Sequence, residues 1–293
     1  MDIVTQVSID KSVFDLYDEY CHGRISRRDF LTRAGALGAA GLAIAYGLMP
    51  NYARAQTVSF TDARIKAQYV SYPSPGGNAP TIRGYLVMPA GQGPWPAVIV
   101  IHENRGLNPY VEDVARRAAV AGFLALAPDG TSPLGGYPGN DDDGRAMQSK
   151  LDQAKLRMDM LNGAWWLKKL PVSNKKLGAT GFCWGGGTVN FLAAAMGADL
   201  QAAAPFYGAP AETASVPKIK APILAHLAEN DPRLNEMYPT FEQELKAAKV
   251  PYEIHVYPGT QHGFHNNSTP RCNEAAAKLA WERTIAHFKR HLI

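Results

Sequence analysis

The sequence predicts an α/β chain, an open and mostly parallel sheet with helices on both faces in three α/β/α layers. Three observations carry this. Short apolar runs alternate along the chain with stretches of helical spacing. The runs at 96–103 and 123–128 are apolar without alternation, as strands covered on both faces are. Neither an internal repeat nor a mid-chain linker interrupts the pattern. The 293 residues, 46% hydrophobic, suffice for one large domain.

Taken in order, residues 67–72 alternate as an edge strand, a Pro/Gly turn follows, and 82–88 form the partner strand. Residues 96–103 form a central strand that ends in polar residues, where a ligand would be met. The spacing of Val111, Val114, Ala115 and Ala118 predicts a helix over 111–121, stopped by Gly122 before the strand 123–128. The Gly/Pro/Asp-rich stretch 129–144 is too long for a plain connector and reads as a loop beside a pocket, with Tyr137 a candidate substrate contact. A helix over 151–170, a strand at 177–181 and a helix over 188–196 follow. Strands at 202–207, 222–227 and 252–257 then alternate with helices over 237–249 and 274–291.

Between the strand at 177–181 and the next helix stands Gly181-Phe182-Cys183-Trp184-Gly185-Gly186-Gly187. Glycines two positions either side of a cysteine fit a sharp strand-to-helix turn that holds the central side chain out at the top of the sheet. Asp231 and His262 each follow a later strand, so nucleophile, acid and histidine come in that chain order at strand ends that can converge. A cysteine attacks as thiolate and needs a base, which His262 supplies; Asp231 would fix the histidine tautomer. The oxyanion would be held by the N–H groups of Trp184 and Asn104.

The set His102-Glu103-Asn104-Arg105-Gly106, Gly181-Phe182-Cys183-Trp184-Gly185-Gly186, Asn230-Asp231 and His262-Gly263-Phe264 resembles the dienelactone hydrolase family of the α/β-hydrolase superfamily, over nearly all of the chain beyond residue 55. The resemblance implies the α/β-hydrolase fold and hydrolysis of a small ester or lactone through a thioacyl intermediate, with no cofactor or metal. It makes Glu103 an auxiliary base beside Cys183. The family's arginine shortly after the catalytic histidine is missing, none occurring before Arg271, so dienelactone itself is not the expected substrate. Arg105 is the residue expected to take over that charge, and Trp184 to line the pocket.

Residues 1–55 read as an address. Ser26-Arg27-Arg28-Asp29-Phe30-Leu31, a weakly apolar run over 34–49 and Ala53-Arg54-Ala55 resemble a twin-arginine signal, leaving a hydrolase domain over 56–293. This implies the twin-arginine export machinery as partner, a periplasmic or secreted bacterial protein, and no stable membrane association once the signal is removed. The stretch 14–20 before the arginines suits a short amphipathic helix with no assigned role. A net charge of +4, with many of the arginines near the N-terminus, gives no footing for nucleic-acid binding. Three cysteines give neither a disulfide framework nor paired zinc-ligand spacing. The alternative to an enzyme is a thiol module that senses redox state or binds a ligand through Cys183, with a Cys183–Cys272 disulfide as its sign.

Overall fold

The structure is a computed structural model that describes residues 11–21, 24–48, 51–52 and 56–293. Met49 and the expected cleavage triplet at 53–55 lie outside the described residues. The first elements are three helices: α1 (Lys11–Cys21), α2 (Arg27–Ala36) and α3 (Ala39–Gly47). The Ser26 side chain accepts from Asp29 N–H, and the Asp29 carboxylate returns the bond to Ser26 N–H, so a capping box starts α2 at the arginine pair. No helix among the described residues is long and apolar enough to cross a membrane.

The strands are β1 (Ile65–Pro73), β2 (Thr81–Pro89), β3 (Trp95–Ile101), β4 (Leu124–Pro128), β5 (Ser173–Phe182), β6 (Ala202–Phe206), β7 (Ile223–Asn230) and β8 (Tyr252–Gln261). They form one sheet in the order β1-β2-β4-β3-β5-β6-β7-β8, antiparallel at the β1–β2–β4 edge and parallel elsewhere. Helices α4 (Pro109–Val120), α5 (Asp141–Ser149), α6 (Gln153–Lys169), α7 (Trp184–Met196), α8 (Pro232–Asn235), α9 (Tyr238–Ala247) and α10 (Glu274–Leu292) connect them.

Each face of the sheet has its own core. Leu156, Met160 and Leu167 of α6 pack with Val189 and Leu192 of α7 and Phe241 of α9. On the other face, Val111, Val114 and Ala118 of α4 meet Ala280, Phe288 and Leu292 of α10. The expected three layers are therefore present. The switch in strand order lies at β3, flanked by β4 and β5, and Ile101 at the end of β3 is opposite Gly181 of β5. A crevice outside the carboxyl ends of such strands is where open α/β sheets bind ligands.

Three local readings change. The stretch expected as a loop over 129–144 contains the start of α5, because Asn140 accepts from Asp143 N–H and Asp141, Asp142 and Asp143 occupy the first turn, where negative charge favours the helix. Helix α7 starts directly at Trp184, earlier than the alanine-rich spacing suggested, and the three glycines are inside it. Strand β5 begins at Ser173, which pairs with Trp95 although its first residues are polar.

Candidate active site

Strand β5 passes into α7 through a single residue. Cys183 has φ 54° and ψ −114°, a conformation uncommon for a residue with a side chain. The turn is pinned by its own N–H, which donates to Phe206 O at 3.1 Å, and by Gly187 N–H, which donates to Cys183 O at 3.1 Å. The glycine frame has a steric cause. A Cβ on Gly181 would lie 2.6 Å from Gly185 O, and one on Gly185 would lie 2.4 Å from Ile101 O and 2.5 Å from His102 O. No side chain fits where strand and helix cross so closely, and the thiol is held over the switch point.

Asp231 follows β7 and His262 follows β8, and both side chains are buried. His262 Nδ1 lies 2.5 Å from Asp231 Oδ2. A carboxylate there keeps the proton on Nδ1 and leaves Nε2 as the basic nitrogen. The Tyr207 ring lies tilted against the imidazole, centroids 4.9 Å apart, and Arg271 Nη1 donates to His262 O at 2.7 Å. The position of the histidine is thus set by three neighbours from different parts of the chain.

Glu103 leaves β3 beside the elbow and is 4% exposed. Asn266 Nδ2 donates to its Oε2 at 3.1 Å, and Arg105 Nε lies 3.9 Å from the same oxygen. Arg105 is not an open charge: its Nη1 donates to Asp141 Oδ2 at 2.6 Å. Asp141 Oδ1 also accepts from Tyr137 Oη at 2.9 Å and Tyr52 Oη at 2.5 Å. The loop that carries Tyr137 therefore does reach the site, through Asp141 and Arg105. The Arg105 guanidinium and the tyrosine hydroxyls keep the Asp141 carboxyl below its usual range despite its burial.

Burial pushes the Cys183 thiol up to about 12, and the Glu103 charge adds to the rise; Arg105 and the Trp184 N–H act against it. The Cys183 thiol is therefore held protonated at neutral pH. The Trp184 ring stacks on His102 at 5.6 Å and 15°. Asn104 is half-buried in the turn after β3, and its Oδ1 accepts from Arg105 Nε at 3.4 Å. His102 serves the scaffold: Nδ1 lies 2.6 Å from Glu103 O, Gly130 N–H donates to Nε2, and burial lowers its pKa.

Sequence reasoning passed over Asn266, Asp141 and Tyr207. Asn266 sits in the turn after the histidine and Asp141 in an acidic run, and neither neighbourhood is distinctive. Tyr207 follows β6 with φ 35°, which no motif announces. Arg271, nine residues after His262, folds back so that its guanidinium donates to the His262 carbonyl. Cys183 and Cys272 are both free thiols.

A family model described as "Dienelactone hydrolase family" matches residues 82–292. The chain belongs to the dienelactone hydrolase family. A second model, described as "YqhI-like", matches residues 1–39. An Escherichia coli K12 protein described as "Putative carboxymethylenebutenolidase" is 32% identical over 250 residues, covering 80% of this chain and 90% of that protein. A Bradyrhizobium protein described as "Probable 2-oxo-3-(5-oxofuran-2-ylidene)propanoate lactonase" is 32% identical over 233 residues, 74% of this chain and 92% of its own. The crystal structure titled "Putative Dienelactone Hydrolase" from Klebsiella pneumoniae matches with a TM-score of 0.67 and 28% identity, over 77% of this chain and all of that one. Membership in the dienelactone hydrolase family makes the chain a hydrolase of the ester- and lactone-cleaving kind.

Proposed function

We propose that the hydrolase domain, residues 56–293, cleaves a small carboxylic ester or lactone by nucleophilic attack of Cys183. The observation that carries this is the pairing of His262 with Asp231 at 2.5 Å, in a chain whose elbow holds a thiol. With the thiol protonated at rest, attack requires its proton to leave as substrate binds. The proton passes to His262 Nε2, with Glu103 as auxiliary acceptor, while sulfur bonds to the carbonyl carbon. The oxyanion takes hydrogen bonds from the N–H groups of Trp184 and Asn104, each worth about 3 kcal/mol in the transition state. The C–O bond breaks, His262 returns the proton to the leaving alkoxide, and a thioester remains. Water, deprotonated by His262, then attacks the thioester and releases the carboxylic acid and the Cys183 thiol. In a lactone the alkoxide stays attached to the acyl group. Trp184, Tyr137 and the Arg105–Asp141 pair are the proposed substrate contacts.

Redox sensing gains no support from the site, because sensor cysteines have low pKa values and this thiol is driven upward. The test is the purified protein assayed on short p-nitrophenyl esters and on simple lactones, beside Cys183→Ala. Turnover that vanishes with the thiol supports the reading; equal turnover in the variant refutes it.

We also propose that residues 1–55 direct twin-arginine export to the periplasm or beyond. Arg27 and Arg28 are both exposed, as an address read by a receptor must be. Fractionation of cells producing the wild type and the double Arg27→Lys, Arg28→Lys variant tests it. Export that persists unchanged in the variant refutes the signal.

A further inference from the structure

The N-terminal helices have a small core of their own. Val13, Tyr17 and Tyr20 of α1 pack against Phe30 and Ala34 of α2, Ala45 of α3 and Leu48. The Phe30 ring lies 5.8 Å from Tyr17 and 5.4 Å from Tyr20. This cluster does not stand apart from the hydrolase domain, because its tyrosines are spent on the residues around the catalytic site.

Tyr17 meets Arg271, whose guanidinium lies 4.9 Å from the ring centroid and whose Nη2 donates to Tyr17 O at 3.3 Å. The same guanidinium donates to His262 O, so one side chain bridges α1 and the catalytic histidine. Tyr20 lies under Arg145 at 4.6 Å, and its Oη donates to Asp142 at 2.5 Å. Tyr52 donates to Asp141, the carboxylate that holds Arg105, and Asn51 N–H donates to Ser268 O at 2.6 Å. Hydrogen bonds to an ionised acceptor and cation–π contacts are the stronger kinds of polar contact. Between Tyr17 and Glu103, Arg105, Asn266 and Arg271 there remains a space of about 10 Å³. That is about room for one water, against roughly 300–1,000 Å³ for a ligand pocket.

We propose that α1, α2 and α3 together with Tyr52 form a cap that docks in cis on the mouth of the Cys183 site and keeps the intact chain latent until the cap is released. The surface recognised is Arg271, Arg145 and the neighbouring carboxylates Asp141 and Asp142, and the occupant is the tyrosine set Tyr17, Tyr20 and Tyr52. The amphipathic stretch before the arginines thereby gains a role. The proposal rests on the hydrolytic reading of the site, and its test separates the two.

Full-length wild type is compared with full-length Tyr17→Ala and Phe30→Ala, the second acting inside the cap alone. Two rates are read: hydrolysis of p-nitrophenyl acetate, and iodoacetamide alkylation of Cys183, followed on its own peptide by mass spectrometry. A full-length chain with a specific protease site at 53–55, cut while folded, gives the same comparison with no core substitution. A cap closed nine-tenths of the time or more predicts that both rates rise about tenfold or more on opening. Tyr17→Phe, which keeps the ring on Arg271, stays near the wild-type rates. If alkylation rises while no form hydrolyses the ester, the cap stands and the ester reading falls. If cutting the folded chain leaves both rates unchanged, the cap is overturned.

Discussion

His262 Nδ1 and Asp231 Oδ2 meet at 2.5 Å although the residues belong to the ends of different strands. Parallel pairing of β7 with β8, His226 opposite His255, brings the two strand ends to the same height. Replacing Asp231 with Asn offers His262 an amide that can donate as well as accept and so favours the wrong tautomer. We expect Asp231→Asn to lower kcat by about a thousandfold or more with KM little changed. Steady-state kinetics on a short ester check it, and a change confined to KM would contradict it.

The Cys183 thiol sets a pH dependence. With its pKa raised to about 12, the thiolate is about one part in ten thousand at pH 8. Alkylation of Cys183 should therefore be slow at neutral pH and keep rising past pH 9, where an ordinary cysteine levels off. Glu103→Gln removes the charge that opposes the thiolate, so the rise should move to lower pH. The folded state holds this proton more tightly than the unfolded chain, so its contribution to stability is full below about pH 9 and is lost as pH rises towards 12. A plateau in alkylation near pH 9 in the wild type would contradict this.

At the elbow, Gly185→Ala would drive a Cβ to 2.4 Å from Ile101 O and 2.5 Å from His102 O. Both are backbone oxygens where β3 ends and the chain turns to Glu103, and neither can swing away. A loss of about 3 kcal/mol or more is expected, read as a lowered denaturation midpoint, together with loss of ester hydrolysis. An unchanged midpoint would contradict the close crossing.

In the core, His226 lies in β7 with Nδ1 2.8 Å from Tyr257 Oη and Nε2 2.9 Å from Thr284 Oγ1. Arg283 donates to Tyr257 Oη and Thr284 donates to Ala280 O, so the tyrosine hydroxyl gives its proton to Nδ1 and the ring carries its own on Nε2. Burial lowers the His226 pKa well below its usual value. A depressed histidine contributes stability that is present above about pH 6.5 and lost as pH falls below it. Thr284→Val leaves the buried Nε2–H unanswered and should cost about 1–3 kcal/mol at pH 7 by denaturant unfolding. A neutral substitution would contradict this hydrogen-bond assignment.

The parts of the molecule that were legible in the sequence are those fixed by local chemistry. The unbroken apolar runs of β3 and β4 could only be strands buried on both faces, and the glycines at 181 and 185 are demanded by a crossing that tolerates no side chain. Asp231 and His262 could be placed at strand ends because β7 has a plain apolar run and the start of β8 alternates. The rest depends on contacts distant in sequence. Nothing near Asn266 announces that it holds Glu103, and Arg271 returns to His262 only because the turn after β8 folds back. Helix α5 hid in an Asp-rich stretch whose charges look like loop but cap a helix. The docking of α1 was invisible, since its amphipathic spacing shows that a face is buried and not against what.

In the proposed mechanism Cys183 carries the acyl group. The direct measurement is intact and peptide mass spectrometry of protein mixed rapidly with p-nitrophenyl acetate and quenched in acid, beside Asp231→Asn to slow breakdown of the intermediate. An acetyl increment is expected on the peptide containing Cys183, absent from Cys183→Ala. An acetyl group found on another residue, or ester turnover that never labels Cys183 in either protein, would contradict it.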